Sequence, residues 1–492
     1  MISFNFKEKF SQESVFQNCD IDKPFEIEYN ILGSLYLKAA AGKTRRTVFV
    51  FTETEVLFLA FSFKGGIHPI YNKDRTYASP IEELPAPEEV VIPLSQHIGA
   101  PCAPVVSVGE KVGIGQIIGD SDANLSCPIH SSVSGTVKAI SPHWHPSGVK
   151  VHSIVIENDF EDTRNDSIEP YEGDFDDLTP SEIISYARDS GIVGMGGAAF
   201  PLHAKLRTAF DKKIEVIIIN GAECEPFITA DHRAMVEYPR AIINGAKLIM
   251  KCLGKTEAVI AIEDNKPDAI ASITIIAEDS GIRVCPVKTK YPQGGEKQLI
   301  KAITGREVPP GKLPMDIGCA VFNVDTCASL FRAVSKGRPL TKRVCTVSGS
   351  AVANPKNLLV RVGTPYYELF DYCGGFTEEP YKIISGGPMM GSAQHSVEIP
   401  VIKNTSALLA FCGDEETFDE KPTCLHCGKC ISVCPMRLMP NYIYMHAEKE
   451  EFGECKKYNV QDCIECGCCS YVCPGRLYLV QAMRMAKGHL PR

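Results

Sequence analysis

Hydrophobic and polar positions change rhythm several times along the chain. From FSFKGGIHP at Phe61 to about residue 160, apolar runs are short and separated by Gly, Pro and Ser: VVIPLSQ, APVVSVGEKVGIGQIIGD, SGTVKAISP, VHSIVIEND. Strand-length runs bounded by turn formers predict a small β domain over 61–160. At Thr179 the period becomes helical. In TPSEIISYARDSG, Thr179 is placed as N-cap, Pro180 at the first helical position, Glu182 to close a capping box and Gly191 to stop the helix. Strand-like and helix-like segments then alternate through IEVIIIN, HRAMVEYPRAIINGAKLIMKCLG, EAVIAIED, PDAIASITIIAEDSG, IRVCPVKTKYP and GGEKQLIKAITG. This predicts an α/β domain with a largely parallel sheet over 175–339. Short strands followed by a helix predict a compact β-grasp unit over 340–400, and a small cysteine-rich piece occupies 412–492.

Two stretches need separate treatment. Residues 1–60 carry no recognisable motif and read as an extension of unknown role; MISFNFKEKFSQESVF lacks the basic end and apolar core of a signal peptide. TVFVFTETEVLFLAF, Thr47 to Phe61, is interrupted by Glu53 and Glu55 and is too short to span a bilayer, so two short strands are expected there. Within the β domain, VSVGEKVGIGQIIGD followed by SSVSGTVKAI resembles the two halves of a lipoyl-type barrel-sandwich. The connecting SDANLSCPIH has no lysine to carry such a cofactor, which favours a scaffold or docking role over a swinging arm.

With 492 residues the chain is too long for one core. A net charge of −9 argues against nucleic acid as the main partner, because phosphate-binding surfaces show a basic excess. The cysteine count changes the picture most. Of 21 cysteines, nine fall in CLHCGKCISVCP (Cys424 to Pro435) and CIECGCCSYVCP (Cys463 to Pro474), eight of them in two runs of equal spacing. Others, such as Cys252, Cys285, Cys319 and Cys345, sit among apolar neighbours as expected of core thiols in reducing cytosol.

Cys-x-x-Cys-x-x-Cys-x-x-x-Cys-Pro, twice, is the spacing of bacterial two-cluster ferredoxins, in which the fourth cysteine of each run serves the other cluster. One [4Fe-4S] cluster is then expected on Cys424, Cys427, Cys430 and Cys473, the other on Cys463, Cys466, Cys469 and Cys434. A pair of structural zinc sites is the alternative, although zinc knuckles rarely carry two equal runs each ending in Cys-Pro. Cys468 is a spare thiol in poorer register than Cys469.

One-electron clusters usually need a flavin to match them to two-electron metabolites. The candidate site is GIVGMGGAAFPLHAKL, Gly191 to Leu206, where Gly194, Gly196 and Gly197 let backbone amides approach a phosphate and Lys205 supplies positive charge. The glycines follow a helix where a Rossmann fingerprint follows a strand, and a glycine-rich turn without a ligand stays open on these residues alone. GREVPPGKL, Gly305 to Leu313, has the wrong spacing and ending for a nucleotide P-loop. His97, His130, His143 and His145 show no ligand spacing.

From FSFKGGIHPIYN onward the chain resembles the RnfC family, the NADH-site subunits of Rnf ferredoxin:NAD+ oxidoreductase complexes. The phrases that carry this are VIPLSQHIGAP, CPIHSSVSGTVKAI, GIVGMGGAAFPLHAKL, NGAECEPFITADHRAM, YPQGGEKQLIKAITGREVP, NPKNLLVRVGTP, ISGGPMMG and the two cysteine runs. The central domain of that family is similar to the flavin subunit of respiratory complex I. The resemblance implies four domains after the extension: a barrel-sandwich-like β domain, an FMN- and NADH-binding α/β domain, a β-grasp (SLBB-like) domain and a helical two-cluster ferredoxin-like domain. It places Gly194, Gly196, Gly197 and Lys205 on the FMN phosphate side, and Asn220, Glu223 and Glu225 near the isoalloxazine and nicotinamide. Gly294, Gly295 and Glu296 form a second loop, Asn323 is a further FMN contact, and Phe200 stacks on incoming NADH. Leu202 stands where the family commonly has threonine.

The function so implied is hydride exchange between NAD(H) and FMN and single-electron exchange with two [4Fe-4S] clusters. The implied partners are the other Rnf subunits, including the ferredoxin-interacting iron–sulfur subunit and the membrane subunits that move Na+ or H+. The expected place is the cytoplasmic face of the membrane, peripheral through those partners. Two alternatives stand beside it. One is an NADH-dependent electron donor to a soluble proline or cobalamin reductase, for which Cys102 and Cys127 leave room; the other is a non-enzymatic relay with an empty flavin site.

Overall fold

The computed structural model describes residues 25–29, 35–39, 61–165, 167–413 and 423–490, divided between two units, 1–57 and 58–492. In the first, β1 (Phe25–Tyr29) and β2 (Leu35–Ala39) pair antiparallel with Ile27 opposite Leu37. The strands expected over Thr47 to Phe61 lie outside the described residues, apart from Phe61 itself.

The second unit contains the four expected folds. Its first segment does not join the barrel. Residues 61–83 run across other domains: Phe61 bridges Val287, Ile67 bridges Tyr291, and β3 (Ile81–Glu83) pairs in parallel with a strand at Asn357–Leu359. Period-2 patterning cannot show this, because the pairing partner lies nearly 280 residues away.

The barrel-sandwich follows as β4 (Glu89–Pro93), β5 (Ala103–Pro104), β6 (Lys111–Val112), β7 (Ile117–Asp120), β8 (Ile129–His130), β9 (Gly135–Trp144) and β10 (Lys150–Asn158). Sheets ordered β4-β10-β9-β6 and β5-β7-β8 enclose Val90, Ile92, Ile118, Ile129, Val137, Ile154 and Ile156.

Helix α1 (Pro180–Asp189) starts with the expected capping box. Thr179 accepts from the Glu182 amide, Glu182 accepts from the Thr179 amide at 2.7 Å, and Gly191 turns the chain at φ +61°. The α/β domain continues with α2 (Leu202–Asp211), β11 (Val216–Gly221), α3 (Ala230–Glu237), α4 (Pro239–Cys252), β12 (Ala258–Glu263), α5 (Pro267–Ala277), β13 (Ile282–Val287), α6 (Glu296–Thr304), β14 (Cys319–Asn323) and α7 (Val324–Lys336). Pro239, which lacks an N–H, splits the single expected helical run into α3 and α4. All four strands are parallel in the order β13-β12-β11-β14, and Asn220 and Asn323 are register partners at the carboxyl ends of β11 and β14. The carboxyl edge of a parallel sheet is where α/β folds bind ligands. Gly245 lets α4 meet α7, since a Cβ there would overlap the Cys327 carbonyl.

The β-grasp domain contributes β15 (Lys342–Ser348), β16 (Lys356–Arg361), α8 (Tyr366–Tyr372), β17 (Lys382–Ser385), β18 (Ser392–Gln394) and β19 (Ala407–Phe411), in one sheet ordered β18-β17-β19-β15-β16-β3. The last domain is helical: α9 (Lys429–Val433), α10 (Pro440–Ala447), α11 (Phe452–Lys457), α12 (Cys468–Tyr471) and α13 (Leu479–Gly488), around Ile443, Cys455, Val460 and Met483. No helix among the described residues is long and apolar enough to cross a membrane. Cys252, Cys285, Cys319 and Cys345 are buried, and burial pushes the thiols of Cys252 and Cys345 up to about 12, as suits inert core residues.

Candidate functional site

The glycine-rich loop joins α1 to α2. Val193 bridges Pro201, the Gly194 amide donates to the Phe200 carbonyl at 2.9 Å, and Ala199 at φ +53° closes the turn. The Met195 amide donates to Thr326 Oγ1 on α7 at 3.1 Å, which ties the loop to the end of β14. A Cβ on Gly196 would come within 2.9 Å of Asn323 Nδ2, whereas Gly197 faces open space. Phe200 is 38% exposed, and Lys205 in the first turn of α2 pairs with Glu296 Oε1 at 2.9 Å.

The three other candidate segments converge on this loop. Asn220 donates to the Gly294 carbonyl at 2.9 Å and accepts from the Ala222 amide at 3.1 Å, tying the end of β11 to the second glycine loop. Gly294 must be glycine, since a Cβ would overlap the Ala222 carbonyl oxygen; Gly295 is the N-cap of α6 and Glu296 its first residue. Asn323 caps α7 by accepting from the Asp325 and Thr326 amides, and its Nδ2 donates to Asp231 Oδ2 at 2.7 Å. Asp231 is pushed up to about 8 by burial and by the neighbouring Glu223 and Asp325 carboxylates.

Glu223 has a duty that sequence reasoning did not assign. Its two oxygens accept from the Asp231 and His232 amides at 2.8 and 3.2 Å, so the carboxylate sits on the N-terminus of α3. Negative charge is favoured there, and Lys73, buried behind it, donates to the Glu223 carbonyl. Glu225 reaches the β-grasp domain. It accepts from the Met389 and Met390 amides at 3.1 and 3.0 Å, and Gly387 lacks the Cβ that would overlap its carboxyl.

Burial raises Glu225 to about 7, against the pull of those two amides. A carboxyl raised on folding binds protons in the native state that the unfolded chain has already released. Stability therefore falls as pH rises from the ordinary carboxyl range to about 7. Replacing Glu225 by Gln removes this slope. In denaturant titrations from pH 5 to 8, the wild type should lose up to about 3 kcal/mol relative to Glu225→Gln, and parallel curves would contradict the assignment.

The candidate sulfur ligands gather around two cavities. Cys424, Cys427, Cys430 and Cys473 line one cavity, and Cys434, Cys463, Cys466 and Cys469 line a second together with Cys468. The two runs fold alike. His426 and Gly428 take positive φ, as do Glu465 and Gly467, and Arg437 and Arg476 do the same after each Cys-Pro. The Leu438 amide donates to Cys434 Sγ at 3.3 Å and the Glu465 amide to Cys463 Sγ at 3.4 Å, the kind of contact that stabilises a ligating thiolate. Among the described residues no three Cys, His, Asp or Glu side chains converge as ligands of a single ion. Four thiols around one cavity, twice over, are the donor set a [4Fe-4S] cubane takes, one thiolate to each iron. Cys468 Sγ points at the Tyr291 carbonyl, 4.0 Å away, and packs with Ile67, Cys224 and Tyr291.

The second cavity abuts the α/β domain. Tyr291, buried in the loop before Gly294, donates its hydroxyl to the Cys466 carbonyl at 2.7 Å. The Gly66 amide donates to the Val433 carbonyl at 2.8 Å, Gln298 on α6 reaches Met436 Sδ at 3.3 Å, and Met389 lies against Gly467. Sequence reasoning missed Tyr291, Met389 and Met390; their only signal is their place inside YPQGGEK and ISGGPMMG.

Known families match the same segments. The RnfC barrel sandwich hybrid domain matches residues 61–161, the Nuo51 FMN-binding domain 187–332, the SLBB domain 344–393 and the 4Fe-4S dicluster domain 417–474. The C-subunit of the Na+-translocating ferredoxin:NAD+ oxidoreductase complex of Acetobacterium woodii is 47% identical over 427 residues, 87% of this chain and 96% of the relative. The C-subunit of the proton-translocating ferredoxin:NAD+ oxidoreductase complex of Clostridium ljungdahlii is 46% identical over 402 residues, 82% of this chain and 88% of the relative. The C-subunit of the ion-translocating oxidoreductase complex of Vibrio cholerae is 40% identical over 82% of this chain and 52% of its own length. With its four domains, its FMN-type loops and its two thiol sets, the chain belongs to the RnfC family, the C-subunits of the ion-translocating ferredoxin:NAD+ oxidoreductase complexes.

Proposed function

We propose that this chain exchanges electrons between NAD(H) and its ferredoxin-like domain as a peripheral subunit of such a complex. The observation that carries this is the hydrogen bond from Tyr291 to the Cys466 carbonyl, which joins the FMN-type loops directly to one thiol cavity. FMN, when bound, exchanges a hydride with the nicotinamide and single electrons with [4Fe-4S] groups.

The chain's own residues bind and orient. Amides of the Gly194–Gly197 loop and the Lys205 ammonium receive the FMN phosphate, with Glu296 holding Lys205 in place. Asn220, at the end of β11, ties down the Gly294 loop, and Asn323, beside it at the end of β14, ties α3 to the start of α7. Glu223, held by the α3 amides, and Glu225, held by the β-grasp loop, present fixed carboxylates toward the flavin and nicotinamide edge. Phe200, partly exposed at the rim, supplies a stacking face for NADH.

Tyr291, Gln298 and the Gly65–Gly66 turn hold the cavity of Cys434, Cys463, Cys466 and Cys469 against these loops. The set Cys424, Cys427, Cys430 and Cys473 then lies farther along the route. The partners are the ferredoxin-interacting iron–sulfur subunit and the ion-moving membrane subunits, at the cytoplasmic face.

Membranes from cells lacking this chain should lose ferredoxin-driven NAD+ reduction and regain it when the purified, cofactor-loaded chain is added back. Restoration only with a soluble reductase fraction, and none with membranes, would favour the soluble-donor alternative.

A further inference from the structure

Gly194, Gly196 and Gly197 make the loop between α1 and α2 easy to bend and entropically unfavourable to order. Gly196, Gly197 and Ala198 are exposed, and a Cβ on Gly197 would touch nothing within 4 Å. A ligand that closes such a loop loses binding energy in ordering it, unless other residues already hold its shape. The Met195 amide is fixed on α7. The residues before and after it are held from a different domain, some 200 positions further along the chain.

Ile402 to Thr405 form a tight turn just before β19. The Thr405 amide donates to the Ile402 carbonyl and the Ile402 amide to Thr405 Oγ1, both at 3.0 Å, which leaves Lys403 and Asn404 at the tip. Lys403, 1% exposed, donates from Nζ to the Gly191 carbonyl at 2.7 Å, where the chain leaves α1. The same ammonium donates to the Pro128 carbonyl of the barrel-sandwich at 2.8 Å. Asn404 Nδ2 donates to the Gly197 carbonyl at 3.2 Å, on the far side of Met195. Gly191 therefore does more than stop α1, since a Cβ there would stand 2.6 Å from Lys403 Nζ. The turn is itself pinned: Gln96 Oε1 accepts from the Lys403 amide at 3.1 Å, and Arg343 donates to the Lys403 carbonyl at 2.9 Å. From the barrel-sandwich, the Ile98 amide donates to the Ala199 carbonyl at 3.3 Å.

We propose that Lys403 and Asn404 are positioning residues of the FMN site, which hold the glycine-rich loop from the β-grasp domain in the shape that receives the flavin phosphate. The proposal rests on the reading of Gly194–Gly197 as the phosphate loop and adds what shapes that loop. Two consecutive residues of one pinned turn reach carbonyls on both sides of Met195, so the loop is braced before any ligand arrives.

The test uses the full chain with its iron–sulfur groups in place and its flavin removed, titrated with FMN and with riboflavin, which lacks the phosphate. Asn404→Ala should weaken FMN binding by about two- to tenfold and Lys403→Met by about tenfold or more, the ranges expected for loss of a neutral and of a charge-assisted hydrogen bond. Riboflavin affinity should stay within about twofold, so the preference for FMN over riboflavin falls. In the flavin-free variants the Gly194 and Leu202 amides, bonded to the Phe200 and Ile192 carbonyls, should exchange hydrogen faster than in the wild type. If Lys403→Met does not fold, the partly exposed Asn404 decides through Asn404→Ala alone.

An unchanged FMN affinity overturns the proposal. So do equal losses for FMN and riboflavin, which would make the turn a support of the fold and not of the phosphate loop. A wild type that binds riboflavin as tightly as FMN would instead overturn the reading of Gly194–Gly197 as the phosphate loop, and the proposal with it.

Discussion

Cys466→Ser should leave NADH able to bleach the flavin while the cluster on Cys424, Cys427, Cys430 and Cys473 stays oxidised. Cys427→Ser should do the reverse, leaving the cluster on Cys434, Cys463, Cys466 and Cys469 reducible by NADH. The asymmetry follows from the contacts. The Cys466 carbonyl is the acceptor for Tyr291, and Met389 and Val433 pack into the same junction, whereas Cys427 faces solvent. Loss of an outer partner of a metal ligand typically costs 10–100-fold in affinity or activity. Loss of the ligand itself should lower NADH-driven reduction of the far cluster by at least about 100-fold. Stopped-flow absorbance with EPR on both variants reads the two outcomes; equal losses in both would mean that the order of the clusters is wrong.

Gly294→Ala is expected to produce the second large effect. The added methyl would overlap the Ala222 carbonyl oxygen, which is backbone and cannot rotate away. To relieve the overlap, the Gly294 loop must part from the end of β11, breaking the bond from Asn220 to the Gly294 carbonyl and the contact of the Gly294 amide with Cys224 Sγ at 3.3 Å. Overpacking of this kind costs about 1–3 kcal/mol. Because the strain falls on two loops of the FMN site, flavin should be lost well before the fold is. Gly245→Ala, which strains α4 against α7 at the Cys327 carbonyl, serves as the control. It should lower the melting temperature without selectively lowering FMN content. Flavin-to-protein ratios and thermal unfolding of both variants check this, and a Gly294→Ala protein with full FMN would contradict it.

Much of this was legible from local signals. The α1 capping box lies within four residues, so Thr179, Pro180 and Glu182 announce it. The cysteine spacing likewise encodes each ligand turn, down to the shared positive φ at His426 and Glu465. The segments that meet around the ends of β11 and β14 were legible as short glycine-, asparagine- and glutamate-rich phrases, among them GIVGMGGAAF and NGAECEP. What escaped depends on distant partners. Nothing near Glu225 shows that it holds amides 164 residues away, and nothing near Ile81 shows that it pairs with Asn357. Glu223 was read as approaching the isoalloxazine and nicotinamide, and nothing near it announces that a helix N-terminus eight residues on donates to both of its oxygens. Tyr291 was passed over because its role appears only when the ferredoxin-like domain docks on the loop before α6.

The proposed electron route is tested most directly by freeze-quench. The anaerobic, FMN- and iron–sulfur-loaded chain is mixed with NADH, and EPR spectra are taken as the flavin bleaches, with the Cys427→Ser variant used to assign the signals. NADH should bleach the flavin, and the signal of the cluster at Cys434, Cys463, Cys466 and Cys469 should rise first, followed by the second. A flavin that does not respond to NADH, or a cluster at Cys424, Cys427, Cys430 and Cys473 that is reduced first, would contradict this route.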